Sequence, residues 1–263
     1  MNILVCIKMV SQAQFTDSLN DAATDRLSGG QLVMNPADSY ALELALRIKD
    51  RKSGTFITVL TMAPQYAEYI LRTALAMGAD KAVHICDRAF AGSDTLMTSV
   101  IISKCVKQLP PQDLILCGQK AIDSETGHIG PQLAALLDMP CASNVTGFSL
   151  NPDGGIDLIR SQGSGLVELH TDCAAVLSVC NGTSMVRSPS IMGMRRSKSM
   201  LVDLVDAKTL GLNDAQAGVH GSGTQTISVA ETCFKKRAHE TAADTGQAVE
   251  RICKMLAEVK GNG

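Results

Sequence analysis

A strand-like run, Asp113-Leu-Ile-Leu-Cys117, passes through Gly118 into a loop carrying Asp123, Ser124, Glu125, Thr126, Gly127 and His128. The loop opens a helix that continues through Gly130-Pro131 to Leu137. Two kinds of chemistry suit these residues. First-turn amides lack intrahelical acceptors, so a small-residue loop at a helix start can hold phosphate. Asp123 and Glu125 could act as an acid–base pair, although loop carboxylates more often cap helices or bind ribose. An ordinary strand-to-helix turn has the same pattern, so the string by itself leaves both readings open. Of the five histidines, His128 alone sits where a ligand could lie, while His84 and His170 fall in strand-like runs and read as structural.

Several other chemistries are excluded by what the chain lacks. There is no GxxxxGK[ST] phosphate loop and no GxGxxG after the first strand. No GxSxG elbow or Ser/His/Asp order points to nucleophilic catalysis. Gly163-Ser-Gly165 lies between strand-like runs and reads as a hairpin turn. The nine cysteines include no CxxC, and Cys6, Cys86, Cys117 and Cys180 lie in or beside apolar runs, so no metal site is expected. Free cysteines suit a reducing compartment, and Met1-Asn2 leads straight into an apolar run, so the expectation is a cytoplasmic protein without a leader. A net charge of −2 gives no case for nucleic acid. Lys235-Lys-Arg237 and Arg195-Arg196 read as solvated faces. No stretch approaches the roughly 20 apolar residues that a membrane span needs.

The elements that must position the loop follow from periodicity. Ile3–Ile7, Phe56–Leu60, Ala82–Cys86 and Leu114–Cys117 are short continuous apolar runs, which predict buried strands. Between them lie helical patterns. One starts at Asn35-Pro36, with Asn35 able to cap, Ala41, Ala45 and Ile48 inward, and Glu43 and Arg47 spaced to pair. A second runs from Gln65 to Met77 and stops at Gly78. A third is expected to be capped by Ser93, with Leu96, Val100 and Ile101 inward. Alternating strands and helices predict an α/β fold, a parallel sheet covered by helices on both faces, with ligands beyond the strand carboxyl ends. A core of Ala, Leu, Val, Ile and Met, with 3% aromatics and no Trp, suits that layering. After Pro140 shorter strands are expected at 142–150, 156–161, 166–171 and 174–179, with Asn151–Gly155 as a turn. Beyond Met200 the chain turns polar. Residues 1–200 are expected to form the nucleotide-binding domain and 201–263 an arm. In the arm, Gly218–Thr224 reads as an extended link, and a last helix carries Val249, Ile252, Cys253 and Leu256 on one face.

A nucleotide-binding α/β domain with no evident catalytic residue suits a redox carrier or binding module better than a hydrolase. At this point several strings, in order along most of the chain, resemble the β subunits of electron-transfer flavoproteins. They are Asn2–Lys8, Met34-Asn-Pro-Ala-Asp38-Ser-Tyr-Ala-Leu-Glu43, Arg72-Thr-Ala-Leu-Ala-Met-Gly-Ala-Asp80, Gln119–Pro131, Arg187-Ser-Pro-Ser-Ile-Met-Gly-Met194 and Gly218–Thr224. Of these, Arg72–Asp80 is the most specific.

The resemblance implies an adenine-nucleotide α-hydrolase-like layout and a heterodimer with the family's α subunit, which the C-terminal arm wraps. It also implies a nucleotide site holding either structural AMP or, in the electron-bifurcating branch, a second FAD that exchanges hydride with NADH. Electrons would then pass between a flavin-dependent dehydrogenase, such as an acyl-CoA dehydrogenase, and ferredoxin-, flavodoxin- or quinone-type acceptors. The loop 123–131 and Thr61-Met62-Ala63-Pro64 are closer to the bifurcating pattern, and Asp38 and Tyr40 fit it. Ser124, His128 and Ala63 depart from it, as do Gln162, Val167 and Ala174. By resemblance, the backbone around Cys6 and the side chain of Asn35 border adenine and ribose, and Asp38 is a further cofactor-binding residue. Asp123, Ser124, Glu125, Thr126, Gly127, His128 and Ile129 cradle ribose and phosphates, and the Gly127–Gly130 amides supply the anion site. Ala121 is a further cofactor-binding residue, and Thr61, Met62 and Ala63 face the flavin ring if a flavin is bound. The rivals are a carrier with AMP in the same site and an ATP-using enzyme on the same layout. The missing Gly-rich loop after the first strand weighs against the latter.

Overall fold

A computed structural model describes residues 1–12, 31–151, 155–225, 227 and 241–261. The chain divides into two compact units, Met1–Ile227 and Ser228–Gly263. In the first unit the elements follow in the order β1 (Asn2–Cys6), β2 (Met9–Gln12), β3 (Gln31–Met34), α1 (Pro36–Arg51), β4 (Phe56–Met62), α2 (Glu68–Met77), β5 (Lys81–Ile85), α3 (Thr95–Val106), β6 (Leu114–Gly118), α4 (Ile129–Leu137), β7 (Cys141–Leu150), β8 (Ile156–Gln162), β9 (Gly165–Thr171), β10 (Ala175–Val179), α5 (Ile191–Ser199), β11 (Val202–Val205) and α6 (Gly218–Gly221). The second unit contains α7 (Thr245–Gly261).

One nine-stranded sheet runs β11-β5-β4-β1-β6-β10-β7-β8-β9. Every pairing from β11 across to β7 is parallel, and β8 and β9 add an antiparallel flap. Alternate residues of β1 feed opposite layers. Ile3 and Val5 pack with α1 and α2, while Leu4 and Cys6 pack with α3 and α4. Both faces of the central strands are therefore buried, which is why their sequences are apolar without alternation.

Three local expectations differ from the structure. Asn35 stands at the start of α1 but its side chain makes no capping bond, because it is engaged across the sheet end. Asp94, not Ser93, caps α3, accepting from Met97 N at 2.8 Å. The helix therefore starts one residue later than expected. Its inward face is Ile101, Ile102, Cys105 and Val106, and Leu96 is left half exposed. Gly218–Thr224 is not a loose link. Its first four residues form α6, whose Val219 N donates to Ala91 O at 3.2 Å, and Thr224 N reaches the second oxygen of Asp94 at 2.9 Å. A carboxylate has two acceptor oxygens, so one residue can cap a helix and hold a second segment.

The compact unit also runs past the division expected at 200. β11 pairs in register with β5, from Val202 opposite Ala82 to Val205 opposite Ile85. Asp87 then accepts from Ala207 N at 3.0 Å and Leu210 is buried. The turn at 163–164 between β8 and β9 is as expected, with Gly163 at φ 60°. Residues 152–154 of the expected Asn151–Gly155 turn, and Lys235-Lys-Arg237, lie outside the described residues.

The pair expected at Glu43 and Arg47 forms at 3.0 Å, but Glu43 is buried and holds a second cation. Arg187 Nε donates to it at 2.9 Å and Arg187 N at 3.1 Å, and the same guanidinium reaches Asp50 at 2.7 Å. Burial alone would raise the Glu43 carboxyl, yet the Arg187 and Arg47 bonds hold it below the usual carboxylate range. A depressed pKa stabilises the fold above the unfolded value and loses that contribution as pH falls through the folded one. Arg187→Ala should therefore lower stability by about 2 kcal/mol at neutral pH, the partial exposure of the guanidinium reducing the full cost of breaking a buried pair. Urea titrations should show the gap closing in acid; a gap independent of pH would refute this account.

Candidate nucleotide-binding crevice

From β1 the chain crosses to β4 on one side, while β6 flanks β1 on the other. This reversal leaves a crevice at the carboxyl ends of β1 and β6, the position where open α/β sheets bind ligands. The start of α1, the residues after β1 and the loop 119–128 meet there.

Asp38, in the first turn of α1, bridges the two strand ends. One oxygen accepts from Lys8 N at 2.7 Å and the other from Gly118 N at 2.9 Å. Burial pushes this carboxyl up to about 6, against the lowering effect of those amides and of the Asn35 side chain. Asn35 ties the same loop from beside it. Its Nδ2 donates to Lys120 O at 3.1 Å and its Oδ1 accepts from Ile122 N at 3.2 Å. Lys8 Nζ then closes on Asp123 at 2.7 Å, and Lys120 pairs with Glu125 at 3.1 Å. On the far side Gln119 N donates to Val179 O at 2.8 Å, and its side chain to Asn144 at 2.7 Å.

The loop reaches α4 through two left-handed residues, Glu125 at φ 50° and Gly127 at φ 65°. His128 precedes α4 in a helical conformation without a side-chain cap bond. Ile129 and Gly130 therefore present first-turn amides, while Pro131 has none to leave unpaired. Gly130 lets this end seat tightly, since a Cβ there would lie 3.0 Å from Cys117 Sγ and 3.2 Å from Ser178 Cβ. Thr126 and Ser124 are exposed on the loop. The His128 ring lies 3.5 Å from Thr95 Oγ1.

The structure thus brings Asn35, Asp38 and 121–130 together around the end of β1, where Cys6 lies. Burial first, then Asp38 and Cys105, pushes the Cys6 thiol up to about 12, so it is no nucleophile. Thr61 and Met62 end β4 and Ala63 follows it, on the opposite flank of β1, where Ile7 N donates to Leu60 O at 2.8 Å. Thr61 is buried, and its hydroxyl has no hydrogen-bond partner among the described residues. Lys8, Gly118, Gln119, Lys120 and Asn144 also build the crevice; the sequence strings contain the first four without giving any of them a role, and Asn144 carries no sequence signal. A glycine closing an apolar strand was the available signal for Gly118. Among the described residues no cluster of His, Cys, Asp or Glu is arranged to hold a metal ion, and no helix is long and apolar enough to cross a membrane.

A family model described as the electron transfer flavoprotein domain matches residues 28–207, more than half of the chain. The chain belongs to the electron transfer flavoprotein family. Relatives of this family cover it nearly end to end. The electron transfer flavoprotein subunit beta of Thermoanaerobacterium thermosaccharolyticum is 33% identical over 97% of this chain and 98% of its own. Subunit CarD of the caffeyl-CoA reductase-Etf complex of Acetobacterium woodii is 33% identical over 86% of each. Protein FixA of Azotobacter vinelandii is 32% identical over 98% of this chain and 92% of its own. The matched span includes the crevice residues from Asn35 to Gly130 and every strand of the nine-stranded sheet except β1.

Proposed function

We propose that the chain is the β subunit of a heterodimeric electron-transfer flavoprotein, that its crevice holds FAD, and that NADH is the electron donor there. The observation that carries the nucleotide reading is the crevice itself. Two strand ends are bridged by Asp38, and a loop held by Asn35 delivers the amides of Gly127 to Gly130. Those donors fit a phosphate, because they are preorganised and no side-chain cap occupies them. Asn35 and the backbone beside Cys6 would border adenine and ribose. Residues Ala121 to Gly130 would cradle ribose and phosphates, with Thr126 adding a hydroxyl. Asp38 acts by position, since both its oxygens already accept backbone amides.

FAD is favoured by the likeness of 123–131 to the bifurcating pattern, and by the Thr61–Ala63 strand end, which extends the crevice beyond a mononucleotide. A flavin there would supply hydride acceptance and electron transfer; the chain's part is to orient it and exclude water. A relative named as part of a caffeyl-CoA reductase–Etf complex agrees with service to a flavin-dependent dehydrogenase. Structural AMP is the second reading. It is favoured by the buried Thr61 hydroxyl, which leaves the β4 end without an exposed side-chain donor.

The partner reading rests on α7. Its Val249, Ile252, Met255 and Leu256 are each more than half exposed, at 56 to 62%, an apolar face that a second subunit would cover. The proposed setting is the cytoplasm. The test is to denature the purified heterodimer and count the released nucleotides. Two FAD and no AMP per heterodimer is the expected result. One FAD with one AMP would replace it with the simple carrier, and ATP or its products would point to the enzyme class.

A further inference from the structure

We infer that His84 is a positioning residue of the crevice, acting through the carbonyl of Ala63 to hold the turn by which the chain leaves β4. This rests on the reading that Thr61–Ala63 edges the nucleotide site. His84 is fully buried on β5, in register with Thr61 on β4. Its Nε2 lies 2.9 Å from Ala63 O. A carbonyl oxygen only accepts, so Nε2 carries a hydrogen and donates it. The other side of the same residue is also held, because Ala63 N donates to Ile85 O at 3.1 Å. Consecutive residues of β5 thus clamp both polar groups of Ala63. Pro64 follows with no N–H of its own, so the direction of this exit depends on the clamp.

The other ring nitrogen shows that the histidine is there for more than filling space. Nδ1 of His84 and Oγ1 of Thr61 are both buried and have no hydrogen-bond partner among the described residues. An apolar side chain would fill the strand position without leaving a polar atom unmatched. A histidine at this point is explained by the one bond that it makes to Ala63.

The test compares His84→Gln, His84→Asn and His84→Phe in the full chain purified with its partner subunit. A glutamine amide nitrogen sits close to the place of Nε2, and an asparagine amide nitrogen close to that of Nδ1. Loss of one positioning hydrogen bond should weaken FAD or AMP rebinding to stripped protein about fivefold in the Asn and Phe variants, with Gln within twofold of wild type. Nitrogen NMR of the ¹⁵N-histidine-labelled wild type should show hydrogen on Nε2 of His84, and amide exchange at Ala63 should quicken in Asn and Phe but not in Gln. Equal loss of affinity in Gln and Asn, or unchanged affinity in both, would overturn the inference, as would a wild-type ring with hydrogen on Nδ1 alone. If the Phe variant fails to fold, the Gln–Asn contrast decides. If wild type binds neither FAD nor AMP, the nucleotide reading falls, while the NMR and exchange measurements still judge the clamp.

Discussion

Replacing Gly118 with alanine should both unseat the crevice and destabilise the fold, by about 3 kcal/mol at the upper end of the usual cost of overpacking. The backbone conformation is not the reason, since Gly118 is not among the left-handed residues. Space is. A Cβ would lie 2.6 Å from Ala37 Cβ and 2.8 Å from the Ala37 carbonyl carbon, and it would collide with the Asp38 carboxylate as well. A flexible side chain could step aside, but the start of a helix buried against the sheet cannot. Helix α1 must lift from the end of β6, which breaks the Gly118–Asp38 bond and loosens the loop behind it. Urea unfolding together with a count of retained nucleotide checks this. A variant with wild-type stability and full occupancy would show that α1 and β6 are not packed as described.

Replacing Asp38 with asparagine should separate binding from stability. An asparagine offers one acceptor oxygen where two backbone amides converge, so one of Lys8 N and Gly118 N loses its partner. Nucleotide affinity should fall roughly tenfold, the equivalent of one charge-assisted bond. Stability at neutral pH should change far less, because the native carboxylate is itself a burden. Its pKa rises from 3.8 to about 6 in the fold, chiefly by burial. Between those values the folded state holds more protons than the unfolded one, so stability falls as pH rises through that window, by about 3 kcal/mol in all. Two pH profiles follow. The wild-type advantage over Asp38→Asn in stability should be greatest below pH 4 and shrink above pH 6. Nucleotide affinity of the wild type should move the other way, weakening below about pH 6 as the carboxyl gains a proton and can no longer serve both amides. An Asn variant with wild-type affinity at neutral pH would remove Asp38 from the site.

The parts of this molecule that were legible in its sequence are those set by neighbours in the chain. The apolar runs of β1, β4, β5 and β6 declared themselves because a strand buried on both faces has no polar alternation to confuse. The cradle at 118–131 was visible as strand, loop and helix start in one continuous string. What joins the cradle to the fold was hidden. Lys8 and Gly118 meet on Asp38 from 30 residues before it and 80 after it, and Lys8 reaches Asp123 across 115. Asn35 read as a cap because Asn before Pro ordinarily is one, yet its amide had a more distant claim. The short β11, Val-Asp-Leu-Val, carries an aspartate among its four residues and exposes Asp203 and Leu204, because it lies at the sheet edge. That composition resembles a tail more than a strand, and the domain was expected to end too soon. His84 read as a settled core residue, and only the geometry shows one of its two nitrogens without a partner.

Lys8 is matched by Asp123 and Lys120 by Glu125, so the rim of the crevice carries no net charge. Attraction for the proposed phosphate would then come from aligned amides at close range, not from a field reaching into solution. Counterions have little to screen in such an arrangement, since dipolar contacts act within the first turn of a helix and below the Debye length. On the proposed function, the crevice would select its ligand by the fit of a phosphate among amides, and added salt should leave that selection nearly as it was.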